Sequence, residues 1–249
     1  MRRRWRQVEE DDVVGFVDDS STLVKQLIEG DWNCDVILII GMGGLGKTTI
    51  ARKIYNNVHV KSHFKCRAWV YVSQDFRTKE LLLNILKKIE ISDWRTVEEL
   101  KEKLFECLLR KTYLIVMDDI WKTKVWDEVR STFPTNLNGS RILITSRIRE
   151  VASHASLTSP YFLPFLNKDE GWELLSKKVF RGGAYPPELE TMGRKIADDC
   201  RGLPLSIVVL GGLLANKEKT PGTWSKLIGN VNWYLTETNT ICKDILALS

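Results

Sequence analysis

The chain has 249 residues, enough for one large domain or two smaller ones. Hydrophobic residues make up 43% of it and charged residues 28%, which excludes a disordered tail. The net charge of +5 comes from 37 basic and 32 acidic side chains, too small an imbalance to require nucleic acid as a partner. Within residues 1–12 a run of arginines precedes a run of acids, so this segment is predicted to be a flexible leader.

Cysteine usage and hydropathy point to an intracellular protein. The five cysteines are odd in number and none forms a C-x-x-C pair, which is typical of a reducing compartment. Cys107 and Cys200 are expected to be buried as small hydrophobic residues on helix faces. No apolar signal segment follows the basic N-terminus, and the longest uncharged stretch, Gly202–Asn216, is too short to span a membrane. We expect a cytoplasmic location, with nuclear or membrane-associated pools of a parent protein left open.

Strands and helices are predicted to alternate through residues 1–166, the first predicted domain. Such alternation indicates an α/β fold, here with a five-stranded parallel sheet. Pro164 weakens the last strand, which is therefore expected at the sheet edge. In chain order the predicted elements are a strand over Val36–Ile40, a helix over Lys47–Tyr55, a strand over Ala68–Val72, a helix over Thr78–Ile89, a helix opened by a Thr96/Glu99 capping box, a strand over Tyr113–Met117, a helix over Asp127–Phe133, and strands over Arg141–Thr145 and Tyr161–Leu166.

Residues 167–249 lack strand patterns and are predicted to form a small helical subdomain. The third of its helices is apolar nearly all round, which predicts burial on every side, and Gly211 and Gly212 within it would let a neighbouring element approach closely. Pro204 suits the first turn of that helix. The predicted helices cover Gly171–Phe180, Pro187–Cys200, Leu205–Asn216 and Trp224–Trp233.

A glycine-rich segment carries the strongest chemical signal. Residues Gly41–Thr49 fit G-x-x-x-x-G-K-[ST] between a buried strand and a helix, the context of a P-loop. Glycines let backbone N–H groups form a concave phosphate nest, and the helix N-terminus adds a positive dipole end. Lys47 would reach the β- and γ-phosphates, and Thr48 would ligate Mg²⁺. The candidate binding residues here are Gly43, Gly44, Leu45, Gly46, Lys47, Thr48 and Thr49.

Two further strand ends supply charged groups. The strand over Tyr113–Met117 runs directly into Asp118, expected to hold Mg²⁺ through water, and Asp119, placed to orient or activate an attacking water. The next strand ends in Thr145-Ser146-Arg147, where Arg147 could sense a γ-phosphate. Lys47, Asp119 and Arg147 are the candidate catalytic residues, and Thr48 and Asp118 the candidate metal ligands.

Alternative sites fit the sequence less well. Gly41-x-Gly43-x-x-Gly46 also matches a dinucleotide fingerprint, but the acidic residue expected about 20 positions on is missing and that fold has no use for Lys47. Residues 167–170 nearly match the guanine-reading motif of GTPases, but Glu170 stands where Asp is needed. His59, His63 and Cys66 lack a fourth zinc ligand nearby.

Six ordered motifs together resemble the NB-ARC nucleotide-binding switch of plant intracellular disease-resistance proteins, of the coiled-coil class. The resemblance covers nearly the whole chain and implies ADP or ATP with Mg²⁺ as ligands. It implies that the backbone of Val13 and Val14 lines the adenine pocket, that Pro204 packs on adenine or ribose, and that Arg147 senses the γ-phosphate. The motifs are Val13–Phe16, Phe64–Gln74, Asp118–Trp121, Gly139–Arg147, Leu166–Leu175 and Gly202–Leu205.

The resemblance further implies a molecular switch of innate immunity. In this family ADP holds a closed resting state, ATP opens it, and hydrolysis is slow or absent, so the protein is at most a slow Mg²⁺-dependent ATPase. The implied partners are the coiled-coil and leucine-rich-repeat domains of the full-length protein and other receptor protomers. A turnover P-loop ATPase of another branch and an interaction scaffold with a vestigial P-loop remain the alternatives.

One departure concerns the C-terminal part. The family continues into a second helical subdomain with a Met-His-Asp motif, which is absent here, where the histidines are His59, His63 and His154. Residues 167–249 are therefore expected to be the first ARC subdomain, truncated at its C-terminal end, in a fragment of a longer protein.

Overall fold

The computed structural model describes residues 13–30, 32–89, 96–135, 137–155, 158–181 and 183–229. The predicted leader, Cys242 and the residues beyond 229 lie outside these ranges. The described part divides into two compact units. We call residues 17–42 and 47–163 the sheet unit, and residues 1–16, 43–46 and 164–249, as far as they are described, the helical unit. Each is described by itself below.

The sheet unit contains the predicted five-stranded parallel sheet. Its strand order is β2-β3-β4-β1-β5, and every neighbouring pair is parallel. The strands are β1 Asp35–Ile40, β2 Cys66–Tyr71, β3 Tyr113–Ile120, β4 Arg141–Ser146 and β5 Tyr161–Phe162. The helices are α1 Val17–Glu29, α2 Lys47–Asn56, α3 Val58–His63, α4 Thr78–Ile89, α5 Val97–Leu108, α6 Thr123–Val129 and α7 Arg149–Ala155, with a 3₁₀ helix over Arg130–Thr132.

The central strands are buried on both faces, as their unbroken apolar runs predict. Every residue of β4 is buried, and in β3 only Asp119 is partly exposed. The predicted capping box is present, since the Thr96 hydroxyl accepts the Glu99 N–H at 3.2 Å and the Glu99 carboxylate accepts the Thr96 N–H at 3.1 Å. The carboxyl ends of β3 and β4, which carry Asp118, Asp119 and Ser146, therefore lie side by side at the same end of a buried sheet.

Two predicted elements of the sheet unit differ from the structure by four residues at one end. The last strand was predicted over Tyr161–Leu166, but β5 ends at Phe162, because Pro164 has no N–H to continue the ladder after Leu163 donates to Ile40. Its predicted place at the sheet edge is confirmed. The helix predicted over residues 127–133 begins earlier, at Thr123, and its last turn tightens into the 3₁₀ helix.

The helical unit contains α8 Lys168–Phe180, α9 Pro187–Asp199, α10 Pro204–Ala215 and α11 Pro221–Ser225. Pro204 opens α10, as predicted. The prediction that α10 is buried all round is wrong, because only one stripe packs inward and Val208 is 37% exposed. Gly211 allows the expected close approach, since a Cβ there would lie 2.8 Å from Lys178 Cβ, whereas Gly212 has nothing within 4 Å.

Burial bears out the cysteine prediction. Cys107 and Cys200 are 8% and 5% exposed, and both are free thiols. Of the helix predicted over residues 224–233, only the start is described, where α11 ends at Ser225 and turns follow to residue 229. Among the described residues no helix is long and apolar enough to cross a membrane.

Candidate nucleotide-binding site

The glycine-rich loop follows β1 and ends where Lys47 starts α2. Gly44 and Gly46 have φ angles of 78° and 100°, in the left-handed region that side chains disfavour. The loop therefore needs glycine at both positions to turn the chain into the helix. Successive backbone N–H groups in such a turn, followed by a helix N-terminus, form an anion-binding nest.

Neighbouring side chains of the helical unit also require these glycines. A Cβ at Gly44 would lie 2.7 Å from the Cβ of Leu205, whose N–H donates to the Gly44 carbonyl at 3.2 Å. A Cβ at Gly46 would lie 2.8 Å from Cζ of Phe16. Within this unit the loop backbone is therefore held against the first turn of α10 and against Phe16.

Lys47 is a buried cation, with 7% of its surface exposed. Its ammonium donates to the carbonyls of Gly41 at 2.8 Å and Met42 at 3.0 Å. Burial, and secondly the nearby charge of Arg147, lowers the pKa of Lys47 to about 8, although Asp119 and Asp118 oppose that shift. A phosphate anion beside the ammonium would favour its charged form. The attraction would offset both the desolvation and the repulsion from Arg147.

Asp118 is the innermost acid of the site and is 1% exposed. Its Oδ1 accepts hydrogen bonds from the hydroxyls of Thr145 at 2.6 Å and Thr48 at 3.0 Å. Burial raises the pKa of Asp118, while these two hydrogen bonds act to lower it. The side chains of Thr48 and Asp118, predicted as metal ligands from distant parts of the sequence, are therefore in direct contact.

The donor set fits Mg²⁺. Hydroxyl and carboxylate oxygens are the ligands that Mg²⁺ prefers, and the ion commonly takes its remaining ligands from phosphate and water. Across the described ranges no cluster of three or more His, Cys, Asp or Glu residues could hold a metal by itself. Thr48 and Asp118 could thus hold the ion of a Mg²⁺–nucleotide complex rather than a protein-only metal site.

Asp119 occupies a backbone irregularity at the end of β3. The pairing of β3 with β4 shifts register between Met117 and Ile120, and Asp119 has φ of 63°. Its N–H donates to the Thr145 hydroxyl at 2.8 Å. A bulge of this kind re-aims side chains and is common near functional sites. Asp118 and Asp119 are adjacent in sequence, and the bulge allows both carboxylates to lie at the carboxyl end of the sheet.

Beside this bulge the side chains of Asp119, Trp121 and Arg147 contact one another, and we call them the Asp119–Trp121–Arg147 cluster. Arg147 Nε lies 3.6 Å from Asp119 Oδ1. Trp121 Nε1 donates to Asp119 Oδ2 at 3.1 Å, and the Arg147 guanidinium lies 4.7 Å from the centre of the Trp121 ring. The carboxylate of Asp119 is therefore engaged on both of its oxygens.

The sequence matches a known protein family. Residues 17–184 match the family model described as the NB-ARC domain. The chain belongs to the NB-ARC family. This match confirms the family indicated by the six sequence motifs.

Several plant resistance proteins are similar to this NB-ARC domain. Disease resistance protein RPP13 of Arabidopsis thaliana is 39% identical over 241 residues, which cover 92% of this chain and 29% of that protein. Late blight resistance protein R1-A of Solanum demissum is 41% identical over 230 residues, covering 90% of this chain and 18% of that protein. The chain thus spans less than a third of the length of these relatives.

Solved structures share the fold. The Aeropyrum pernix ORC2 protein, in a structure of its ADPNP–ADP complexes, matches with a TM-score of 0.62 at 15% identity, over 91% of this chain and 72% of that one. A Walker-type ATPase of Pyrococcus abyssi gives 0.60 at 14% identity, over 96% and 78%. At these identities the likeness establishes the P-loop NTPase fold alone, which confirms the predicted fold class.

The predicted site residues of the NB-ARC domain fall in both units. The sheet unit brings together Lys47, Thr48, Asp118, Asp119 and Arg147. Thr49 is partly buried in the first turn of α2. In the helical unit Val14 and Leu45 are buried, Val13 and Gly43 are partly buried, and Pro204 begins α10. Nucleotide contacts of these residues stay predictions.

Four residues at the site were not among the predicted site residues. Phe16 and Leu205 contact the loop glycines, Thr145 bonds to both strand-end acids, and Trp121 contacts Asp119 and Arg147. Thr145 had a sequence signal, because it immediately precedes the Ser146-Arg147 end of a buried strand. Phe16, Leu205 and Trp121 each lie in one of the six motifs, but their contacts with the loop glycines and with Arg147 depend on tertiary structure.

Proposed function

We propose that this NB-ARC domain is an ADP/ATP-binding switch module of a plant innate-immune receptor. The observation that carries the proposal is the contact between Thr48 and Asp118 beside the buried ammonium of Lys47. This arrangement offers a cation for phosphate oxygens and an oxygen pair for Mg²⁺. The nucleotide complexes named for the ORC2 protein, which shares the fold, add support.

The residues would divide the work as follows. The loop N–H groups and Lys47 bind the phosphates, and Thr48 and Asp118 hold Mg²⁺, which supplies charge neutralisation between phosphate oxygens. Val13 and Val14 line the adenine and Pro204 packs against the base or ribose. Residues 1–166 form the nucleotide-binding domain in this proposal, and residues 167–249 the helical ARC subdomain.

Switching follows from differential affinity. A ligand shifts an equilibrium between two states only by the difference in its affinity for them. ADP would stabilise a resting state, and the γ-phosphate of ATP, contacted by Arg147, would stabilise an active one. The coiled-coil and repeat domains of the longer protein and other protomers would read that change, in the cytoplasm or in nuclear or membrane-associated pools.

Slow hydrolysis suits the site better than rapid turnover. Asp119, the candidate for activating water, is bonded to Trp121 and paired with Arg147, so its carboxylate is engaged by two protein groups. We expect the domain to hydrolyse ATP over hours rather than minutes. Several turnovers per minute that depend on Asp119 would instead identify a turnover ATPase.

Titration calorimetry of ADP with Mg²⁺ tests the proposal. Lys47→Ala should abolish binding, because it removes the buried cation that the proposal assigns to the phosphate oxygens. Lys53→Ala, on the same helix, is the matched control and should bind as the wild type does. Unchanged affinity in Lys47→Ala would overturn the proposed nucleotide site.

A further inference from the structure

Trp121 contacts both members of the ion pair at the carboxyl end of the sheet. Its indole Nε1 donates to Oδ2 of Asp119 at 3.1 Å. The guanidinium of Arg147 stacks over the same ring at 4.7 Å, well within the range of a cation–π interaction. The partly buried Trp121 therefore contacts the Asp119 carboxylate through its ring N–H and the Arg147 guanidinium through its ring face.

The ion pair itself is loose enough to be exchanged. Arg147 Nε lies 3.6 Å from Asp119 Oδ1, beyond the 2.7–2.9 Å typical of a charge-assisted hydrogen bond. The two side chains are 18% and 22% exposed, so solvent only partly screens the pair. Phosphate oxygens accept shorter and bidentate bonds from a guanidinium, so a phosphate within reach would compete with Asp119 for Arg147.

The backbone holds Asp119 in this position at a cost. A non-glycine residue with φ of 63° is in a sparsely populated conformation worth about 1–3 kcal/mol of strain, which persists only where surrounding contacts over-determine it. Here the Thr145 hydroxyl accepts the Asp119 N–H, and Trp121 holds the carboxylate. Asp119 is thus held beside Arg147 by a contact from β4 and a contact from the residue that follows β3.

We propose that Trp121 is a positioning residue that, together with Asp119, holds Arg147 away from a γ-phosphate and so sets the preference of the site for ADP over ATP. This inference rests on the proposed function, in which Arg147 contacts the γ-phosphate. ATP must displace Arg147 from the Asp119–Trp121–Arg147 cluster, whereas ADP leaves the cluster intact. Without Trp121, Arg147 loses its contact with the indole ring and Asp119 loses one hydrogen bond, so ATP has fewer contacts to break.

The effect is measured as the ratio of two dissociation constants, that for Mg²⁺–ADP divided by that for the Mg²⁺ complex of β,γ-imido-ATP. One cation–π contact and one hydrogen bond together correspond to about a 5- to 70-fold change. Trp121→Leu should raise the ratio by that amount, towards ATP. Trp32→Leu, the same change at an exposed tryptophan of the turn before β1, is the matched control and should leave the ratio unchanged.

A double-mutant cycle separates this inference from the proposed function. Arg147→Ala should lower the ratio, and Trp121→Leu added to Arg147→Ala should have no further effect. If Arg147→Ala leaves the ratio unchanged, the proposed sensing of the γ-phosphate fails. If Arg147→Ala lowers the ratio but Trp121→Leu alone does not raise it, the cluster has no role in preference and this inference is overturned.

Fluorescence provides a readout that a purely structural role of Trp121 would not move, and it does not require the leucine variant to fold. Trp121→Phe keeps an aromatic face for Arg147, although a smaller one, and removes the indole N–H. The emission of the wild type minus that of Trp121→Phe isolates Trp121 from the other tryptophans. This difference should change on addition of the ATP analogue and stay constant with ADP, and equal responses to both would refute the exchange of Arg147.

Discussion

At pH 9 the amine of Lys47 is expected to take up a proton when a nucleotide phosphate binds. Burial and the charge of Arg147 lower the pKa of Lys47 to about 8. The amine is then about 0.1 neutral at pH 7 and about 0.9 neutral at pH 9 in the nucleotide-free protein. A bound phosphate favours the charged form, so ADP binding should take up about 0.9 proton at pH 9 and about 0.1 at pH 7.

Calorimetry in two buffers of different ionisation enthalpy measures this uptake directly. The phosphates of ADP are fully ionised at pH 9, so the lysine is the expected proton acceptor. Arg147→Ala is the informative control, because removing the neighbouring cation raises the pKa of Lys47 and should reduce the uptake at pH 9. The uptake should not vanish, since burial is the larger cause of the shift. An uptake that is negligible at pH 9, or equal at both pH values, would refute the reasoning.

The same shift sets the sign of the pH dependence that Lys47 contributes to stability. The pKa of Lys47 is about 8 in the folded protein and 10.5 in its ordinary state. Between these values the unfolded chain binds more protons, so the contribution of Lys47 to the free energy of unfolding rises with pH through this window. Bound nucleotide should suppress that rise, because it keeps Lys47 charged in the folded state.

Three further predictions concern magnesium and stability. Asp118→Asn should reduce the gain in ADP affinity produced by Mg²⁺ by about tenfold and leave the affinity in excess EDTA nearly unchanged, since an amide oxygen is the weaker ligand; equal losses with and without Mg²⁺ in calorimetry would contradict this. Gly193→Ala would bring a Cβ to 2.1 Å from Trp172 Cζ3 and should lower the free energy of unfolding in urea by about 1–3 kcal/mol, whereas Gly212→Ala, with nothing within 4 Å, should not lower it. Thr96→Ala should cost about 1 kcal/mol through loss of the helix cap, and an unchanged urea midpoint would show that the cap contributes nothing.

Much of the sheet could be predicted because parallel strands buried on both faces leave a strong local signal. The run from Tyr113 to Met117 is apolar without interruption. The strand in the structure begins at the predicted residue and ends three residues later, at Ile120. The glycine-rich loop could also be predicted, because phosphate binding requires particular residues at fixed spacing. Helices α1, α3 and α7 were not predicted, although Leu23 and Leu27 of α1 lie one turn apart on one buried face.

Tertiary features explain what the sequence could not supply. Helix α10 has apolar residues on every side, yet its neighbours cover only one stripe, which composition alone cannot reveal. The left-handed conformation of Asp119 has no signature in the sequence, because it depends on the register shift against β4. Thus the acid was identified correctly as a strand-end carboxylate, while its engagement by Trp121 and Arg147 could not be foreseen.

Adenine-nucleotide binding is tested most directly by denaturing freshly purified protein and identifying the released nucleotide by chromatography. We expect ADP at close to one molecule per chain, retained by the glycine loop and Lys47. Release of a guanine nucleotide would contradict the proposed specificity. An empty protein that also fails to bind added Mg²⁺–ADP would contradict the nucleotide site itself.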